Sequence, residues 1–125
     1  MHIPVLKEKV IEILDPKENE NFIDCTFGEG GHTKAILKKT APNGKVLAVE
    51  IDPVLYEKGK ELERKFKGRL ILIHGSFKNL KAIVRAVNFS EIKGILFDLG
   101  VCSWHFESAK RGFSFKREEP LIMRY

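Results

Sequence analysis

Several things are scarce in this sequence. It has two cysteines in 125 residues. Cys25 and Cys102 both fall in apolar, strand-like segments, so they read as buried, reduced thiols of a cytoplasmic protein and not as a disulfide framework. No apolar run reaches membrane-spanning length, and no charged start leads into an apolar stretch; neither a membrane span nor a signal peptide is expected. The four histidines and two cysteines lack the spacing of metal ligands, so no metal site is expected. There is no repeat, low-complexity tract or linker, and the length suits one core in a single domain over 1–125. A net charge of +5 permits an anionic partner such as RNA without requiring one.

What is present alternates between two periods. Residues 4–14, PVLKEKVIEIL, begin with a proline suited to the first helical position, and Asp15-Pro16 stops them. NFIDCTF, 21–27, is a short strand running into glycines. Residues 31–39 read as a helix closed by Ala41-Pro42-Asn43-Gly44. KVLAVEI, 45–51, is the continuous apolar run of a parallel strand covered on both faces. Pro53 opens a helix in which Leu55, Gly59, Leu62 and Phe66 fall at helical spacing. LILIHG, 70–75, is a third strand. Leu80, Ile83, Val84 and Val87 mark another helix, and GILFDLG, 94–100, is a fourth strand. The tail from 102 to 125 has no clear period and reads as loop. Such alternation predicts an α/β fold, a doubly wound parallel sheet of about four strands. Right-handed crossovers give the order 3-2-1-4. Ligands of such sheets sit at the carboxyl ends of the strands, at the switch point between strands one and four.

The stretch DCTFGEGGH, 24–32, lies at that point. A dinucleotide fingerprint asks for G-x-G-x-x-G. Gly28 and Gly30 supply two glycines, but position 33 is Thr33. A nicotinamide-dependent reading is therefore disfavoured. An acidic strand end, a glycine turn and a helix suit a nucleoside cofactor with an amino-acid tail. Asp24 can reach its ammonium side, and Gly28 and Gly30 let the backbone approach. Glu50 ends the second strand, where a carboxylate takes ribose hydroxyls in such folds. S-adenosyl-L-methionine has no pyrophosphate and needs no third glycine. The plainer alternative is a strand-to-helix turn beside a solvated strand end.

The segments HIPVLKEKV, DCTFGEGGHTKAIL, AVEIDP, GSFKNL, GILFDLGVCS, RGFSF and PLIMRY follow one another in this order. With them the chain resembles the MraW-type (RsmH) methyltransferases over nearly all its length. Members of that family methylate the exocyclic N4 of a cytosine in small-subunit ribosomal RNA with S-adenosyl-L-methionine. The resemblance implies a Rossmann-like class I methyltransferase fold, and it covers only the family's N-terminal portion. A chain of that extent alone is expected to transfer methyl groups poorly.

The resemblance also implies roles. Gly30, Gly31 and His32 stand where the family contacts the methionine part of the cofactor. Glu50 stands at the ribose, usually through Asp, and Phe77 stands beside the adenine. Asp98, at the end of strand four, stands near the transferred methyl group and is the candidate catalytic residue. His105 stands where the family usually has a cofactor-contacting Gln. The family's Ser-Ser-Pro-Gln is Cys102-Ser103-Trp104-His105 here, and the Asp of its L-D-M-R-M stretch is Ile122. For these residues plainer roles compete: His32 as a helix cap, Phe77 as core, Trp104 as an apolar plug. Trp104, Arg111, Phe113 and Phe115 could hold RNA by stacking and charge, or Arg111 to Arg117 could be a solvated basic loop. An apolar fourth strand without edge-protecting lysine or proline is expected to seek cover. We expect it from a second chain, as a homodimer through that edge, in preference to the tail.

Overall fold

The computed structural model describes residues 4–98 and 120–125. Helix α1 (Pro4–Leu14) leads into strand β1 (Asn21–Asp24), helix α2 (Gly31–Lys39) and strand β2 (Val46–Glu50). Helix α3 (Pro53–Lys65), strand β3 (Leu70–His74), a single 3-10 turn (Phe77–Asn79), helix α4 (Leu80–Ala86) and strand β4 (Ile92–Asp98) follow. A further strand, β5 (Pro120–Arg124), closes the chain. The strands form one sheet in the order β3-β2-β1-β4-β5. The three pairings expected from the sequence are present in the order 3-2-1-4, and β1 to β4 all run parallel. Among the described residues no helix is long and apolar enough to cross a membrane.

Local chemistry sets the boundaries. Pro4 is the first residue of α1, and Asp15 leaves that helix in the left-handed region at φ 47°. All five residues of β2 are buried, as a strand covered on both faces requires. Asp52 caps α3, its carboxylate accepting from the Val54 and Leu55 amides at 2.7 and 3.2 Å, with Pro53 at the first helical position.

The sheet separates two apolar clusters. On one face Val10 and Leu14 of α1, and Ile36 and Leu37 of α2, pack on Phe22, Val46, Ala48, Leu70, Leu72 and Leu96. Leu62 and Phe66 complete that side from α3 and its end. On the other face Ile23, Cys25, Leu47 and Ile95 are buried under the chain around α4. Gly59 of α3 admits Phe27: a Cβ there would stand 2.5 Å from the Phe27 ring.

The sheet corrects the sequence reading in two places. Among the described residues the sheet has five strands, because the last residues of the presumed loop tail form β5. It runs antiparallel to β4, with Asp98 opposite Pro120, Leu96 opposite Ile122 and Gly94 opposite Arg124. Hence the β4 edge is paired within the chain, and the site expected to bind a second copy is taken by β5. The physical reason lies in Gly94, where β5 passes so close that a Cβ would stand 2.9 Å from the Met123 carbonyl oxygen. Arg124 adds an ion pair to Glu20 at 3.2 Å and a cation–π contact to Phe22 at 5.6 Å.

Candidate functional site

Four strands of the sheet deliver their carboxyl ends to one side, and the chain turns sharply there. After β1 it passes through Gly28 at φ 59° and Gly30 at φ 86°, then enters α2. Both angles belong to glycine's conformational range. The two glycines differ in their surroundings. A Cβ on Gly30 would meet Phe27 at 2.9 Å and Leu62 at 3.0 Å, so packing excludes a side chain as well. A Cβ on Gly28 would find its nearest neighbour, the Thr26 carbonyl oxygen, 3.9 Å away, so that flank of the turn stands open.

Glu50, at the end of β2, is buried and holds this loop. Its Oε1 accepts from the Gly28 amide at 2.7 Å, and its Oε2 accepts from the Asp52 amide at 2.9 Å. One carboxylate thus ties the glycine loop to the turn that starts α3. Each carboxylate oxygen has a second lone-pair direction for a ligand hydroxyl. Next along, Ile51 is exposed, and its carbonyl oxygen lies 3.1 Å from His74 Nε2.

Asp98 and His32 face each other where β1 and β4 part. His32 Nε2 lies 3.7 Å from Asp98 Oδ2, and both side chains are buried. His32 is the second residue of α2, and Asp98 is the last of β4. The sequence placed these two 66 positions apart, and the fold brings them into one ion-pair distance. Phe77 begins the 3-10 turn after β3 and sets its ring edge-on to Phe97, with centroids 5.4 Å apart. It belongs to the second apolar cluster and remains partly exposed.

Asp24, the residue expected to reach a ligand's ammonium group, is fully buried at the end of β1. Its Oδ1 accepts from the Thr26 amide at 3.1 Å, and its Oδ2 accepts from the Thr33 hydroxyl at 2.7 Å. Burial pushes its carboxyl above the ordinary carboxylate range, against the opposing pull of those two bonds. Burial likewise pushes the Cys25 thiol up to about 12, with the Asp24 charge adding to it.

Thr33 explains the broken glycine fingerprint. The third glycine of a dinucleotide site serves close helix–strand packing. Here a buried threonine takes that position and spends its hydroxyl on Asp24. Thr26 and Thr33 were the residues missed by sequence reasoning. Thr33 left a signal, as the residue at the missing glycine. Thr26 left none, since a lone hydroxyl at a strand end has no pattern. Trp104, His105, Arg111, Phe113 and Phe115 lie outside the described residues, as does Cys102.

The fold is Rossmann-like, of the class I methyltransferase type. Among solved structures, an RNA methyltransferase from Salinibacter ruber in complex with S-adenosyl-L-homocysteine shares the fold, with a TM-score of 0.56 at 14% identity over 100% of this chain and 92% of that one. The model of the MraW methylase family matches residues 1–125, and the chain belongs to that family. It is 41% identical over 124 residues to ribosomal RNA small subunit methyltransferase H of Thermomicrobium roseum, covering 99% of this chain and 38% of the relative. The protein of the same name from Beijerinckia indica is 45% identical over 123 residues, covering 98% and 34%. The chain therefore spans little more than a third of the length of these curated relatives.

Proposed function

We propose that this chain forms the S-adenosyl-L-methionine-binding part of an enzyme that methylates the exocyclic N4 of a cytosine in small-subunit ribosomal RNA, acting in the cytoplasm. The observation that carries this reading is the meeting of Glu50, the open flank of Gly28 and the His32–Asp98 pair at one end of the sheet. Those residues fit the cofactor. A buried carboxylate with spare lone pairs suits two ribose hydroxyls, the glycine turn admits a close ligand, and a partly exposed Phe77 offers an apolar edge to a purine. The family relatives named above point to the same class of reaction and to ribosomal RNA.

When bound, the cofactor supplies an electrophilic methyl group. The chain's own residues would orient the reactants, since positioning accounts for much of such a barrier. Asp98 would accept a hydrogen bond from the cytosine amine as positive charge grows on its nitrogen. His32 would face the methionine part of the ligand while fixing the Asp98 carboxylate. A target base would have to leave its stack to reach the strand ends. By the family resemblance, His105 would add a cofactor contact, and Trp104, Arg111, Phe113 and Phe115 would serve the RNA.

One observation favours a second reading, a relative that binds cofactor or RNA without turnover. Ile122 stands where the family carries an aspartate, and it packs against the main apolar cluster from β5. Titration calorimetry with S-adenosyl-L-methionine, run beside methyl transfer to small ribosomal subunits lacking the modification, separates the two. Binding with transfer supports the enzyme; binding without transfer supports the second reading. No binding at millimolar cofactor would sink the enzyme reading and leave, of the second, only a relative that binds RNA.

A further inference from the structure

We infer that Thr26 is the positioning residue of Asp98, holding it opposite His32 through a hydrogen bond that replaces one rung of the sheet. This rests on the proposed cofactor site. After a register shift between Asn21 and Phe22, the ladder between β1 and β4 keeps step from Phe22 to Asp24, and the Cys25 amide still donates to the Leu96 carbonyl at 2.8 Å. In a regular parallel ladder the next amide of β4, that of Asp98, would donate to a main-chain carbonyl of the neighbouring strand. By then β1 has ended, and the chain is turning into the glycine loop. The Thr26 hydroxyl takes the missing acceptor's place: its Oγ1 accepts from the Asp98 amide at 2.6 Å.

The threonine is itself held. Its amide donates to Asp24 Oδ1 at 3.1 Å, and Asp24 Oδ2 accepts from Thr33 at 2.7 Å. Thr33 is the neighbour of His32 on α2. One buried carboxylate thus steadies both sides of the His32–Asp98 pair, through Thr26 on the β4 side and through Thr33 on the helix side. This gives buried Asp24 a reason to be where it is, since an unsatisfied carboxylate there would be costly. It also explains how two strands can separate to open a crevice without leaving the Asp98 amide to drift. A hydroxyl on a side chain can follow the strand end where a main-chain carbonyl can no longer reach.

The test is calorimetry with S-adenosyl-L-methionine on the wild type, Thr26→Val, Thr26→Ser, Asp98→Ala and the Thr26→Val/Asp98→Ala double variant. Valine keeps the shape and removes the acceptor; serine keeps the acceptor. Thr26→Val should weaken binding roughly fivefold to tenfold, the scale of one lost hydrogen bond. Thr26→Ser should stay within about twofold of wild type on the same scale. In the Asp98→Ala background, Thr26→Val should add less than about twofold, because coupled residues are not additive. A merely structural threonine would cost the same in both backgrounds. Equal binding by wild type and Thr26→Val, or full additivity with Asp98→Ala, overturns the role of Thr26. Absence of binding by the wild type overturns the cofactor reading instead. Should Thr26→Val not fold, hydrogen exchange on the wild type decides: slow exchange of the Asp98 amide supports the contact, and exchange as fast as in an open loop overturns it.

Discussion

The two ends of the sheet hold their loops with different chemistry. At the end where the strands begin, mostly neutral and cationic groups bind main-chain carbonyls and amides in partly wet surroundings, joined by the part-exposed Glu20, which accepts from the Lys17 amide at 2.9 Å. Asn21 accepts from the Lys45 amide at 2.9 Å and donates to the Ser90 carbonyl at 3.0 Å. Asn19 accepts from the Asn43 amide at 3.0 Å. Arg69 donates to the carbonyls of Gly44 and Leu37, closing the end of α2 onto the start of β3. At the end where the strands finish, the same task falls to buried carboxylates: Glu50 on the glycine loop, Asp24 on the two threonines, Asp98 beside His32. Amides would hold loops at less cost, because taking a charge out of water is expensive. Among the described residues the buried carboxylates lie at one end only, which gives that end a requirement beyond holding loops together. Local rules are broken where function asks for it.

This contrast can be broken most sharply at Glu50. Replacing it with alanine should weaken S-adenosyl-L-methionine binding by about 1.5–3 kcal/mol, the range for hydrogen bonds to a charged group. Calorimetry measures it, and unchanged affinity would make Glu50 a loop tie like those at the other end. Arg69→Met is the mirror experiment. It should cost about 1–2 kcal/mol of stability in urea denaturation while leaving cofactor affinity within about twofold. A matching loss of affinity would erase the distinction between the ends.

Asp24 sharpens the contrast through pH. Its folded-state carboxyl titrates above its ordinary value of 3.8. Its favourable contribution is therefore complete below that value and fades as pH rises through the folded one. The stability of wild type relative to Asp24→Asn should accordingly decline as pH climbs from about 4 toward neutrality. Urea midpoints across that range check it, and a flat difference would show an unshifted carboxyl. The smallest expected effect is at Cys25. With its thiol pushed up to about 12 and its side chain buried, alkylation at neutral pH should leave the peptide carrying Cys25 unmodified in the folded protein. Modification as fast as in urea would contradict the packing of that strand.

Much of the fold was legible because parallel strands covered on both faces announce themselves. VLAVE and LILIH are continuous apolar runs, and both are strands. The helix limits at Pro4, Gly31 and Lys39 follow from proline, glycine and turn chemistry. Strand β5 escaped because PLIMR has no alternation of its own and opens with proline. Its conformation is dictated by the edge it joins, where Gly94 makes room. In the site, the residues visible in the sequence are those with an obvious chemical signature: Gly28, Gly30, Glu50 and Asp98. The supporting bonds were not visible. Whether Asp24 would face a ligand or the interior depends on Thr26 and Thr33, and hydroxyl side chains reveal their partners only in three dimensions.

The pairing of β4 with β5 has a consequence for how this fold tolerates change. Asp98 and Pro120 stand opposite each other in the ladder, so the chain leaves the sheet and rejoins it at neighbouring points. A segment anchored in this way can lengthen or be exchanged at little cost, because closing a loop between fixed neighbours becomes only slowly harder as it grows. The sheet need not be redrawn when the segment changes. One of its two anchors is Asp98 itself, so any such exchange begins at the candidate site. The junction acts as a socket in which a new insert arrives already aimed at the chemistry.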